Sequence, residues 1–272
     1  MRDVPVESVE SLDHLAGDWR LFQLKRGHRF STDDLMTAWR AANVALESPG
    51  PIRAFDLGAG IGSVGLLVLW RLLRDGRDAR LTSLEVQQRS HALAEKSVRW
   101  NGLGNRVEPR LGDLRRVFTA SADAEAPPPE AAERGGFDLV TGSPPYLPVG
   151  QAVASTHPQK AACRFELHGD VGDYCRAAAH LLAPRGQFVF CHASRDPRPE
   201  AAIAAAGLCL HRRTDVVFRS PESAEPLIAL FVCGWDTQVA ERDVFVVRGP
   251  DGRWTDEYLA MRADMGTVVW NR

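Results

Sequence analysis

Residues 54–69, AFDLGAGIGSVGLLVL, run from an apolar strand through a glycine turn into an apolar helix. Glycine has no Cβ, so such a turn can take positive φ and bring its backbone close to a ligand at the helix N-terminus. Gly60, Gly62 and Gly65 spell G-x-G-x-x-G, and Glu85 follows about 20 residues on, where a carboxylate can meet a ribose. By itself this pattern suits any adenosine cofactor, the nicotinamide dinucleotides included.

The alternation continues outward. Strand-like runs fall at 54–57, 81–86, 107–111, 137–141, 187–191, 209–218 and 227–233. Helical patterns fill 64–73, 89–100, 171–182 and 200–206. This order predicts an α/β fold with a doubly wound, mostly parallel, Rossmann-like sheet of seven strands. Residues 46–272 form that domain and residues 1–45 an N-terminal extension or lid. In the extension, KRGHRFSTDD (25–34) reads as a basic turn into a helix capped by Ser31 or Thr32. The Pro/Ala/Glu-rich stretch 123–136 reads as a flexible surface insertion. After the seventh strand come a further strand, a Pro-Asp-Gly turn and a final helix.

Bulk properties narrow the class. The 272 residues are 44% hydrophobic and 25% charged, ordinary for a globular protein with a full core. A net charge of −2 gives no global pull on nucleic acid, so a polyanion partner needs a local basic patch. Basic clusters occur at Lys25, Arg26, His28 and Arg29, at Arg110, Arg115 and Arg116, and at His211, Arg212 and Arg213. The five cysteines show no metal-ligand spacing, which predicts reduced thiols, no metal and a cytoplasmic protein. The longest apolar run, 64–73, is too short to span a bilayer. Trp39, Trp70, Trp100 and Trp235 fall on apolar faces and read as core.

Asp56 separates the cofactor candidates. It ends the first strand of the alternation, just before the glycines, where an anion would repel a pyrophosphate. It favours instead the sulfonium and ammonium of S-adenosylmethionine. Glu85, ending the next strand with Val86 beside it, can accept both ribose hydroxyls. Asp113, followed by Leu114, can accept from the adenine amine. Together with Gly58 and Gly60 these residues outline a slot for a cationic adenosyl ligand.

After the strand at 137–141 comes Ser143-Pro144-Pro145-Tyr146. Proline cannot extend the sheet ladder and restricts its predecessor, so the segment reads as a stiff, exposed lip overhanging the cofactor's methyl. An amine on an aromatic ring has its lone pair delocalised and attacks a methyl group poorly. Acceptors aimed at its two hydrogens, here the Ser143 hydroxyl and the Pro144 carbonyl, steady the charge that develops on nitrogen. Pro145 stiffens the corner and Tyr146 can stack on the ring. The stretch 147–170 reads as a long loop on the substrate side, with Arg164 and Glu166 pairing across the pocket and His157 and His168 in solvent.

These motifs resemble the class I S-adenosylmethionine-dependent amino-methyltransferases with a (D/N/S)-P-P-Y corner. The flanks KRGHRFSTDDLMTAW (25–39) and DGRWTDEYLAMRADM (251–265) look like those of the bacterial tRNA adenine-N6 methyltransferases that modify the valine-tRNA anticodon loop. The resemblance implies methylation of a nucleobase amine in tRNA or other structured RNA. It implies Thr32 and Asp33 closing over the cofactor, and Lys25, Arg26, His28, Arg29 and Arg164 near the substrate. In one respect the chain departs from that group, which usually carries Asn where Ser143 stands; S-P-P-Y is typical of cytosine-N4 DNA methyltransferases. Alternatives are therefore cytosine N4, a small aromatic amine or a protein amide, and, in another class, a non-catalytic RNA- or partner-binding scaffold.

Overall fold

The computed structural model describes residues 4–118, 134–148, 150, 157–219 and 225–267. Strands β1 (Glu10–Ala16) and β2 (Trp19–Leu24) form an antiparallel hairpin that turns at Gly17, φ 51°. The next element is helix α1 (Thr32–Glu47) with Ser31 at its N-cap, whose backbone N–H donates to Asp34 at 3.1 Å. Strand β3 (Ile52–Leu57) leads through the glycine turn into α2 (Ser63–Arg74), then β4 (Ala79–Glu85), α3 (Gln88–Trp100) and β5 (Val107–Leu111). Strand β6 (Phe137–Gly142) is followed by α4 (Pro158–Arg164), α5 (Val171–Leu181), β7 (Leu182–Ala193) and α6 (Arg198–Ala205). The chain closes with β8 (Cys209–Val217), β9 (Ile228–Gly234), β10 (Glu241–Val246) and α7 (Asp256–Asp264).

The main sheet runs β10-β8-β9-β7-β6-β3-β4-β5. Only β9 is antiparallel to its neighbours, β7 and β8. The seven expected strands are all present, and the later strand joins as an eighth, parallel to β8 at the edge. Its strands alternate with helices on both faces. One core holds residues of the hairpin, α1, α2 and α7, including Phe22, Leu35, Leu67 and Met261. The other holds residues of α5 and α6, including Tyr174, Ala178 and Ile203. The chain therefore has the mixed α/β, mostly parallel fold expected of it.

Several local expectations are corrected. The hairpin was not foreseen, and its outer edge is satisfied from elsewhere: Ser97 Oγ of α3 and Oδ1 of Asn101, which caps α3, accept from the Phe22 and Arg20 N–H groups at 3.0 and 2.9 Å. The loop at 147–170 contains α4 and a β-bridge between Leu147 and Phe165. Glu166 pairs with Arg198 at 2.7 Å, not with Arg164. Trp39, Trp70 and Trp100 are half-buried, but Trp235 is exposed and not core. Of the insertion at 123–136, all but the last three residues lie outside the described residues.

Candidate active site

In a doubly wound sheet the ligand crevice opens at the strands' carboxyl ends, where the chain's winding reverses. Here β3 lies between β4 and β6, and a cleft of about 480 Å³ opens at the carboxyl ends of these three strands. The glycine turn forms its floor. Gly58, Gly60 and Gly62 take φ of 58°, 57° and 87°. A Cβ on Gly60 would meet nothing within 4 Å, whereas one on Gly58 would lie 2.0 Å from the Tyr174 hydroxyl. Gly65, in α2, passes so near β3 and β4 that a Cβ would stand 2.8 Å from Leu81. Positive φ thus calls for glycine at 58, 60 and 62, and close packing calls for it at 58 and 65.

Four carboxylates line the cleft: Asp33 and Asp34 from the first turn of α1, Asp56 from β3 and Glu85 from β4. Asp56 is buried, accepting from Thr141 Oγ1 at 2.7 Å and from the Gly65 N–H at 3.0 Å, and burial raises its pKa to about 6. Glu85 accepts from the Gly60 N–H at 2.8 Å and the Gln87 N–H at 2.7 Å; burial lifts its pKa as well. Asp34 is pushed up further still, by burial and by the neighbouring charge of Asp33. Acids held above their ordinary range in one cleft make a site that gains from a cation, which would restore their ionised form.

The lip forms the opposite wall, and it is not exposed. Pro144 and Pro145 are buried, and Ser143 and Tyr146 half-buried. Cys191 of β7 stands behind both ends, its Sγ 3.2 Å from Ser143 Oγ and 3.1 Å from the Tyr146 hydroxyl. That hydroxyl also donates to Asp33 at 3.3 Å. Desolvation holds the Tyr146 phenol well above its ordinary value, the Cys191 thiol at about 11 and the neighbouring His192 at about 4. The back of the lip is therefore uncharged at neutral pH.

Of the residues singled out in the sequence, Asp33, Asp56, Gly58, Gly60, Glu85, Val86, Leu114, Ser143, Pro144, Pro145 and Tyr146 meet in this cleft, with His28, Arg164 and His168 at its edge. Others do not line it. Thr32 is the first residue of α1. Asp113 caps the turn at Leu114–Arg116 and is held by the Arg115 guanidinium, which keeps its carboxyl low. Lys25 donates to the Ser8 carbonyl and Arg29 pairs with Asp13, both at 2.9 Å; Arg26 is exposed. Sequence reading missed Asp34, Ser63, Gln87, Cys163, Tyr174 and, behind the lip, Cys191. Asp34 alone left a signal, as the third residue after a Ser N-cap. Among the described residues, no cluster of His, Cys, Asp and Glu could hold a metal ion.

No family model matches the chain. It is similar to the tRNA1(Val) (adenine(37)-N6)-methyltransferases of Escherichia coli O9:H4 (strain HS) and K12 (DH10B), 25% identical over 230 residues, 84% of this chain and 83% of theirs. Among solved structures it resembles that of a predicted O-methyltransferase from Agrobacterium tumefaciens. The TM-score is 0.57 at 20% identity, over 89% of this chain and all of the other. The chain is a methyltransferase with a Rossmann-like fold. S-adenosylmethionine is the cofactor that Asp56 and the glycine turn lead one to expect. The cleft fits that molecule: Gly60 leaves its Cβ side open, Glu85 sits at a strand end beside it, and buried acids await a cation. No helix is long and apolar enough to cross a membrane among the described residues.

Proposed function

We propose that the chain transfers the methyl group of S-adenosylmethionine to an exocyclic amine of a nucleobase, foremost adenine N6 in tRNA or other structured RNA, in the cytoplasm. The observation that carries this reading is the shared cleft: Ser143, Pro144 and Tyr146 line it together with Asp56, Gly60 and Glu85. The resemblance to the tRNA1(Val) enzymes supports adenine in RNA as the target.

The cofactor supplies an electrophilic methyl on a positively charged sulfur. The chain's own residues do the rest. Glu85 would accept from the ribose hydroxyls, with Val86 and Leu114 placed to pack on the adenine ring. Asp56 and Asp33 would supply negative charge for the sulfonium, and the Gly58–Gly60 backbone would let the ligand approach. Ser143 Oγ and the Pro144 carbonyl accept from the target NH₂, drawing its lone pair out of the ring and along the line to the methyl carbon. A new nitrogen–carbon bond would be balanced by loss of the donor's sulfur–carbon bond, whose electron pair would remain on the departing thioether. The methylated nitrogen carries the positive charge until it loses a proton to water, so no strong base is needed. Ser143 reaches less far than Asn, and the Cys191 thiol behind it holds the hydroxyl in place. A base in an RNA loop can swing out without breaking a duplex, which keeps extrusion cheap.

Incubation with methyl-labelled S-adenosylmethionine and total tRNA, followed by digestion to nucleosides, tests the reading. Label in N6-methyladenosine is the expected result. Label in N4-methylcytidine would move the target to cytosine, and label confined to protein or small molecules would reject RNA as the substrate.

A further inference from the structure

Many surface cations are ion-paired, although Arg26, Arg99 and Arg185 have no carboxylate partner among the described residues. Arg29 pairs with Asp13, Arg89 with Glu7 and Glu10, Arg106 with Asp78, Arg176 with Asp173 and Arg242 with Glu200. Helix α4, beside the cleft, carries two further cations outside such pairs. Lys160 and Arg164, one helical turn apart on α4, have no carboxylate partner among the described residues. The neighbouring stretch 149–156 contains no Asp or Glu that could supply one. Arg164 is exposed and lines the cleft. Lys160 lies close enough to His28, on the cleft's edge, for its charge to disfavour the imidazolium.

The short helix that carries these cations is fastened on both sides. The Gln159 side chain is buried, accepting from the His28 N–H and donating to Ser90 Oγ, each at 3.0 Å. On the other side, the Leu147 N–H donates to the Arg164 carbonyl at 3.1 Å and the Glu166 N–H to the Leu147 carbonyl at 3.0 Å. The backbone that carries the two cations is therefore tied to residue 28 on one side and to the end of the lip on the other, and Arg164 lines the cleft.

We infer that α4 is a phosphate-binding helix, on which Lys160 and Arg164 take backbone phosphates flanking the base whose amine enters the cleft. The inference rests on the RNA reading above and relocates its basic contacts: Lys25 and Arg29 are engaged within the chain, whereas Lys160 and Arg164 have no carboxylate partner among the described residues. A phosphate backbone suits them better than an acidic peptide does, because the lip beside them is built for a planar ring amine.

Binding of fluorescent tRNA, followed by anisotropy between about 50 and 200 mM salt, tests this independently of turnover. Lys160→Glu and Arg164→Glu should each weaken binding about tenfold and lower the log–log salt slope by about 0.7, the value for one single-strand phosphate contact. Arg99→Glu, an exposed change in the last turn of α3, is the control and should leave both unchanged. Wild-type affinity and slope in both α4 variants, with tRNA methylation intact, would overturn the role of α4 and leave the RNA reading standing. A wild-type chain that neither binds nor methylates tRNA would remove both. Equal affinity for poly-glutamate, lost in the same variants, would assign the face to an acidic protein and overturn the inference.

Discussion

Gly58 and Gly60 share a left-handed backbone and differ in what faces them. Gly58→Ala would drive a Cβ into the Tyr174 hydroxyl, on a residue locked in the α5 core. It should destabilise the fold by about 2–4 kcal/mol, from strain and overpacking together. Gly60→Ala meets no protein atom, so its stability cost should stay near 1 kcal/mol. Its methyl group would instead project into ligand space, and cofactor affinity should drop by at least about tenfold, equivalent to ~1.4 kcal/mol. Thermal melts with calorimetric titration of S-adenosylmethionine separate the two outcomes. The glycines were legible in the sequence because positive φ beside a strand end leaves a residue-level mark. Cys191 was not: a thiol inside an apolar strand reads as core, and only the register of β6 on β7 brings it behind Ser143.

At the scale of elements, the least legible parts are those whose bonds come from elsewhere. The β1–β2 hairpin lacks clean alternation because side chains of α3 satisfy one edge of it. Helix α4 has seven residues, too few for an apolar period to declare itself, and is held by one buried glutamine and one β-bridge. Gln159→Ala should therefore cost about 1–2 kcal/mol, since it leaves the His28 N–H and the Ser90 hydroxyl without their partner. Hydrogen exchange should speed up at 25–31 and 158–164 together, while α5 and the sheet keep their protection. Faster exchange in only one of these segments would show that the amide does not couple residues 25–31 to α4. The long strand–helix alternation from β3 to α3, in contrast, was readable to within two residues, because the glycine turn and the apolar faces of the helices mark its boundaries.

Across the whole molecule, the sheet order is what turns scattered residues into a site. Asp56, Glu85 and Ser143 lie far apart in sequence and meet because β4, β3 and β6 are neighbours with parallel carboxyl ends. The acids then share a desolvated cleft, and burial raises Asp56, Glu85 and Asp34 above the usual carboxylate range. That collective rise was beyond the sequence, since it depends on how completely α1 and α2 cover the strand ends. It has a direct consequence. A cation stabilises the ionised acids, so protons compete with it once the pH drops below the folded value of Asp56, about 6. Calorimetric titration of S-adenosylmethionine, S-adenosylhomocysteine and NAD between pH 7.5 and 5 measures this competition. The account predicts that the sulfonium ligand weakens by up to about tenfold per pH unit below that point. The neutral thioether should weaken less, and NAD should not bind. Equal pH dependence of the two sulfur ligands, or tight binding of NAD, would contradict it.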